Sequence, residues 1–207
     1  MKKEKSLLNI TERILLQIDS SEEKDHTLSW ELLKKIGDNM QDIIITLFKL
    51  STDDKLIPSE AIKLRFSGFY EGSAVPAWQL PEAQNLLFDI TPQLEKVNSN
   101  FNLIISSLNT GRFEQLNSIT DNVELNNKLV DNVYNFSNSV GGKKFNFVKP
   151  SSAKKGFKTV AKIFQMPLKT KNSIYKVEDK GSTTKNSKEI EFVAKINAVK
   201  DVKGKLS

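Results

Sequence analysis

The chain has 207 residues, 38% hydrophobic and 27% charged, with one histidine, no cysteine and a formal net charge of +6. This is the composition of a folded globular protein. It excludes collagen-like, disulfide-stapled and largely disordered classes, and the missing thiols exclude cysteine nucleophiles and Cys-ligated zinc or iron–sulfur sites. At ~100–200 residues per domain, the length allows one domain or two small ones.

Met1 to Arg13 opens basic, as a secretory leader does, but Asn9, Thr11, Glu12 and Arg13 interrupt the apolar run that a leader needs. No stretch approaches the ~18 apolar residues of a membrane span, and the chain reads as cytoplasmic. Within residues 6–19, apolar groups at 7, 10, 14, 15 and 18 have helical spacing. A polar break at 20–26 follows. Thr27 or Ser29 can then cap a second helix over Leu28–Leu50, with Leu32, Leu33, Ile36, Met40, Ile43, Ile44, Leu47 and Phe48 as its stripe. Gly37 inside that helix suggests a close helix crossing.

The period then changes to two. Ile62, Leu64 and Phe66 alternate with Lys63, Arg65 and Ser67, as in a half-buried strand. A turn or bulge around Gly68 and Gly72 leads to a second short strand, Ser73 to Leu80, which Pro76 demotes to an edge or irregular segment. A short helix is expected at 83–89, then a longer one opened by Thr91-Pro92 and stopped by Gly111. Phe113, Leu116 and Ile119 begin a further helical face, continued by Leu125 to Phe136 with a break near Asp121-Asn122. The short Asn-Thr-Gly connection suggests that these two long helices are antiparallel neighbours. Gly141-Gly142 is a boundary. Beyond it, 145–148, 157–164, 174–177 and 190–199 read as short strands, 181–188 as a loop, and 200–206 as a turn into a strand that looks unfinished. An incomplete sheet would offer an edge to a partner; a truncated chain would look the same.

The expected fold is therefore α+β. A mainly helical domain over 1–140 carries an embedded hairpin near 61–80, and a small Lys-rich antiparallel β module follows over 143–207. Residues 1–140 hold 14 Lys and Arg against 20 Asp and Glu, a net of −6, whereas residues 141–207 hold 17 Lys against 5 acids, a net of +12. Such asymmetry points to nucleic acid, a membrane surface or an acidic partner. All three arginines lie in the acidic part, so the basic part offers point charges without the planar fork that reads bases. The wealth of Lys and Asn has a compositional explanation too, AT-rich coding, although that would act on both halves alike. The opposite charges can also pack partly against each other.

Two groups of residues stand out. Lys143, Lys144, Lys154, Lys155, Lys158 and Lys162 are candidates for polyanion binding, on strands where Lys alternates with aromatic and aliphatic groups. Arg65, Tyr70, Glu71 and Trp78 gather around Gly68 and Gly72 and are candidates for a ligand-binding or hydrolytic site. The plainer explanation for the second group is that Phe66, Phe69 and Trp78 cover the helices while the glycines make turns. Neither Gly68–Gly72 nor Gly141-Gly142-Lys143-Lys144 has a nucleotide fingerprint. His26 sits in a polar loop with no orienting partner in sequence, and one histidine supplies no metal-ligand spacing. No catalytic residue, metal or cofactor is implied.

The leading expectation is a non-catalytic interaction protein. Its basic module would contact nucleic acid or an acidic protein surface, with no membrane, and self-association is open. A ligand-binding or hydrolytic protein built on the 63–80 hairpin, and a structural subunit of a larger assembly, are the alternatives.

Overall fold

Residues 7–19, 28–52, 62–70, 75–81, 91–151 and 156–177 are described by the computed structural model. All belong to one unit, residues 1–177, while a second unit, 178–207, lies outside the described residues. The strand expected at 190–199, the turn at 200–206, the loop at 181–188 and the helix at 83–89 all fall outside them, as does His26.

Strand β1 is Ile14–Asp19, where the sequence suggested a helix. The reason for the difference is local and tertiary together. Asn9 Oδ1 accepts from Thr11 N–H at 3.1 Å, and Glu12 N–H donates to Asn9 O at 3.0 Å, so a turn breaks the helical path before Ile14. The run Ile14-Leu15-Leu16-Gln17-Ile18 then serves a strand with neighbours on both sides. Ile14, Leu16 and Ile18 face one core and Leu15 another, so nearly continuous apolar residues are required.

Helix α1, Trp30–Ser51, starts where expected, and Ser29 Oγ accepts from Leu32 N–H at 3.2 Å. Its buried stripe of Leu33, Ile36, Met40, Ile43, Ile44, Leu47 and Phe48 has the three- and four-residue steps of one helical face. The hairpin strands are β2, Arg65–Phe69, and β3, Pro76–Gln79. β3 is no edge strand, because it lies between β2 and β1. Pro76 is tolerated as its first residue, a place where a missing N–H donor does little harm. Gln41 of α1 holds the lead-in to β2: its Nε2 donates to Ile62 O at 2.9 Å, and Leu64 N–H donates to its Oε1.

Helix α2, Thr91–Thr110, is followed by a 3-10 helix, Phe113–Ser118, and then by α3, Val123–Ser137, whose cap Asn122 accepts from Leu125 N–H at 2.9 Å. α2 and α3 both pack on α1. They are not the neighbours that the short connection suggested: each packs on α1 and on the 3-10 helix between them, not on the other. Gly141 and Gly142 have φ of +60° and +94° and reverse the chain after α3, a conformation that other residues adopt only under strain. Strands β4, Lys144–Pro150, and β5, Phe157–Lys162, follow. The last described element is helix α4, Leu168–Ile174, with Pro167 at its cap. The strand expected over 174–177 is absent, since Ile174 closes α4 and Tyr175 to Val177 are irregular.

The fold is α+β. The strands form one antiparallel sheet in the order β2-β3-β1-β4-β5. Strands from either side of residue 140 thus share a single sheet, with Leu16 opposite Phe147 and Ile18 opposite Phe145. The helices cover one face, where Phe101, Phe136, Phe145 and Phe147 make a chain of ring contacts at 5.3–6.2 Å. On the other face Leu15, Val75, Ala77 and Val148 form a smaller cluster beneath Tyr70 and Phe157.

Candidate functional site

The register of the hairpin decides where its candidate residues go. Phe66 lies opposite Trp78 on the helix-covered face, with ring centroids 5.7 Å apart. Arg65 is one residue away and opposite Gln79, so it belongs to the other face, where Arg13 Nε donates to Gln79 Oε1 at 3.3 Å. Tyr70 is also on that face, its ring 5.5 Å from Phe157. The sheet therefore separates Arg65 and Tyr70 from Trp78, and the three do not converge. Glu71 lies outside the described residues.

What the hairpin does build is a cleft of about 530 Å³ between itself and the N-terminal half of α1. Trp30, Leu33, Leu64, Phe66 and Trp78 form its apolar walls, and Lys34, Asp38, Gln41 and Lys63 also line it. Lys34 and Asp38 pair at 3.0 Å, one helical turn apart. Gly37 is in the lining because Trp78 needs the space. A Cβ there would stand 2.9 Å from Trp78 Nε1. The expected close approach at Gly37 is thus to a tryptophan from the sheet, not to another helix. Trp30 is 68% exposed and Phe66 39% exposed, although their rings meet edge to face at 6.5 Å. Sequence reasoning missed Trp30 and Gln41. An aromatic residue directly after a cap serine, on the polar side of the helix, was the available signal for the first.

The lysines of residues 141–177 number ten, with no Asp or Glu among these residues. Lys144 and Lys162 lie on the face away from the helices, Lys162 opposite Asn146 and Lys144 opposite Asp19. Lys158 lies directly opposite Lys149 on the alternate face, and neither has an acidic partner among the described residues. Lys149 was not among the candidates from sequence; the Pro150 that follows it concealed its place in a strand. Lys143 is half-buried in the turn after α3, and Lys154 and Lys155 lie outside the described residues. The β5 end of the sheet is fastened to α2: Lys162 N–H donates to Asn109 Oδ1 at 2.8 Å, and Phe164 N–H to Leu108 O at 3.0 Å. That covers part of the edge and satisfies a carbonyl at the helix end.

Two other lysines are matched with acids from the helical part. Lys171 Nζ is 2.6 Å from Asp131 Oδ1 and 4.7 Å from the Tyr134 ring centre. Tyr175 Oη donates to the same carboxylate. Lys176 Nζ donates to Thr120 O and is 3.5 Å from Asp121. The Asp131 hydrogen bond, against an opposing desolvation effect, holds the Lys171 pKa above its ordinary value. Burial first, and the bond to Asp131 second, raises that of Tyr175. This group ties α4 to α3; its lysine is held more firmly protonated, the reverse of what a nucleophilic amine needs.

Among the described residues no three His, Asp or Glu side chains are grouped to hold a metal ion. Nor is any helix there long and apolar enough to cross a membrane. Comparison with protein-family models, with curated proteins and with solved structures finds no match.

Proposed function

We propose that this chain is a non-catalytic interaction protein of the cytoplasm that docks a polyanion, a nucleic-acid backbone or an acidic protein surface, on β4 and β5. The observation that carries this reading is the Lys149–Lys158 pair. Like charges directly opposite on neighbouring strands are destabilising, and these two have no carboxylate to separate them among the described residues. An anion placed between them removes the repulsion, so binding and relief of strain coincide. Lys162, also exposed, lies on the other side of the same strand as Lys158. Every cation here is Lys, so the surface senses charge and spacing, not base identity.

The test uses the full chain with a short DNA duplex and, separately, with polyglutamate, over a range of salt. With the Lys149–Lys158 pair engaged, the log–log salt slope on duplex DNA is expected near −1.8, at about −0.9 per phosphate neutralised. The double substitution Lys149→Gln/Lys158→Gln is expected to reduce the slope by about 2. Absence of binding to both polymers at low salt overturns the reading, as does a slope unchanged by the double substitution.

A further inference from the structure

Strand β2 forms one edge of the sheet, and among the described residues no strand lies on its outer side. The polyanion reading uses β5, at the other edge, and makes no use of it. We infer that this edge docks a second copy of the chain, by antiparallel β2–β2 pairing about a two-fold axis. The first observation is the direction of the backbone groups. Tyr70 N–H donates to Val75 O at 3.0 Å, so these two residues are a hydrogen-bonded pair. Hydrogen bonding alternates along an antiparallel ladder, so Phe69, opposite Pro76, turns its N–H and C=O outward. The second is a row of exposed rings. Residues three apart point to opposite faces of a regular strand. Here Ser67 is an extra residue, since Phe66 lies opposite Trp78 and Gly68 opposite Ala77, and Gly68 takes a φ of +99°. This bulge returns Phe69 to the face of Phe66, and the two rings meet edge to face at 5.6 Å. Phe69 is 47% exposed, and Trp30 continues the row beyond Phe66.

An occupant of this edge has to bring an unpaired strand and apolar side chains, and a second β2 brings both. With a two-fold axis across the edge, Phe66 of one copy stands opposite Phe69 of the other, and Phe69 opposite Phe66. Each ring then gains an aromatic cross-strand neighbour. Arg65 falls opposite Tyr70 of the other copy, so like charges do not meet. The β5 edge is built differently. Lys158 and Lys162 lie along it, and lysines at an edge resist strand addition, whereas the five residues of β2 include one charge, Arg65. An isologous contact of this kind closes at two copies. Its size sets its strength. An aromatic side chain offers ~150–250 Å² when fully buried. Three partly exposed ones on a five-residue edge fall short of the ~800 Å² per partner of a standard interface. A weak dimer follows, with a dissociation constant on the order of 100 µM.

Sedimentation equilibrium on the full chain, from about 10 µM to about 1 mM, tests this. The expected result is a mass that rises with concentration from one copy to two and no further. Phe69→Lys, a change at an exposed position, should hold the mass at one copy throughout. Trp30→Ala, also at an exposed position, should weaken association by about tenfold. Circular dichroism at the lowest concentration checks that each variant is folded. A second measurement needs no substitution: the Phe69 amide should exchange its hydrogen more slowly as concentration rises, while the amides of β5 keep their rates. The Lys149→Gln/Lys158→Gln protein should dimerise as the parent does, which separates this inference from the polyanion reading. A single-copy mass at the highest concentration, a mass that passes two copies, or a dimer retained in Phe69→Lys overturns the inference. So does association unaltered in Trp30→Ala, or a Phe69 amide whose exchange is indifferent to concentration.

Discussion

Asp131 receives both Lys171 and Tyr175, and that shared carboxylate makes a specific pH dependence. Both partner groups have pKa values raised in the folded chain. Each therefore binds its proton more tightly folded than unfolded. Their contribution is fully present below about pH 10, the ordinary range of both groups, and is lost as pH rises through the raised values. Asp131→Asn is expected to lower unfolding free energy by about 1 kcal/mol at pH 8. Urea denaturation should show the gap between this variant and the parent narrowing above pH 10; a gap that widens there contradicts the assignment. Gly37 makes the second case at this scale. Alanine in a helix interior ordinarily gains up to ~1 kcal/mol over glycine. Gly37→Ala is expected to lose stability instead, because its methyl meets a rigid, buried indole at 2.9 Å. Thermal melts of the two proteins decide it.

Asparagine works between elements. Asn102 Oδ1 accepts from Leu7 and Leu8 N–H at 2.8 and 3.0 Å while its Nδ2 donates to Leu8 O at 2.8 Å, and Asn98 Oδ1 accepts from Ile10 N–H at 2.9 Å. Asn127 clamps Lys176 at both its N–H and its carbonyl, and Asn138 donates to Met166 O. Each fastens an irregular segment to a helix, satisfying backbone groups that no strand or helix pairs. Asn102→Ala is expected to cost about 2 kcal/mol, from the partners it orphans, and to speed hydrogen exchange at Leu7, Leu8 and Ile10 while leaving α3 protected. Composition alone presents these asparagines as coding bias; only the tertiary partners give them a role. The helices were legible because their stripes, caps and breaks are local: Ser29, the break at Asp121-Asn122 and the 33–48 stripe each lie within a few residues of what they determine. β1 and α4 were not. The residues at 7–18 satisfy a helical spacing as well as a two-faced strand, and what selects the strand is its neighbours at 77–78 and 144–148. Residues 168–174 carry almost no apolar stripe, and α4 is held by Pro167 at its cap and by Asp131, which pairs with Lys171. The same dependence on partners hid the cleft, for its walls come from Trp30 and from a hairpin whose register the sequence does not display.

Over the whole molecule the charge division is used in two ways. Lys171 and Lys176 join the acidic helices, while Lys149 and Lys158 oppose each other with no carboxylate between them among the described residues. In the proposed reading this surface is kept for binding, and such a surface is expected to be less stable than it could be. Lys158→Glu replaces a repulsive cross-strand pair by an attractive one, and should raise stability by about 0.5–1 kcal/mol while weakening duplex binding. A stabilised protein that binds DNA as well as the parent would separate the repulsion from the docking surface. Denaturation and binding measured on the same preparation read both effects.

The place of β1 at the middle of the sheet has a consequence for biosynthesis. Its neighbour β4 leaves the ribosome only after more than half of the chain has followed β1, and at ~5–20 residues per second that delay is on the order of ten seconds. Throughout it, Leu16 and Ile18 lack the strand that pairs with them. Nascent chains halted before Lys144 should be cut by protease within 14–19, whereas chains released beyond Val177 should resist; equal resistance would mean that the early segment is shielded by another route. A newborn copy of this protein thus carries a sticky, unmatched ribbon until β4 emerges, and its yield in a crowded cell depends on how fast translation supplies the missing flank.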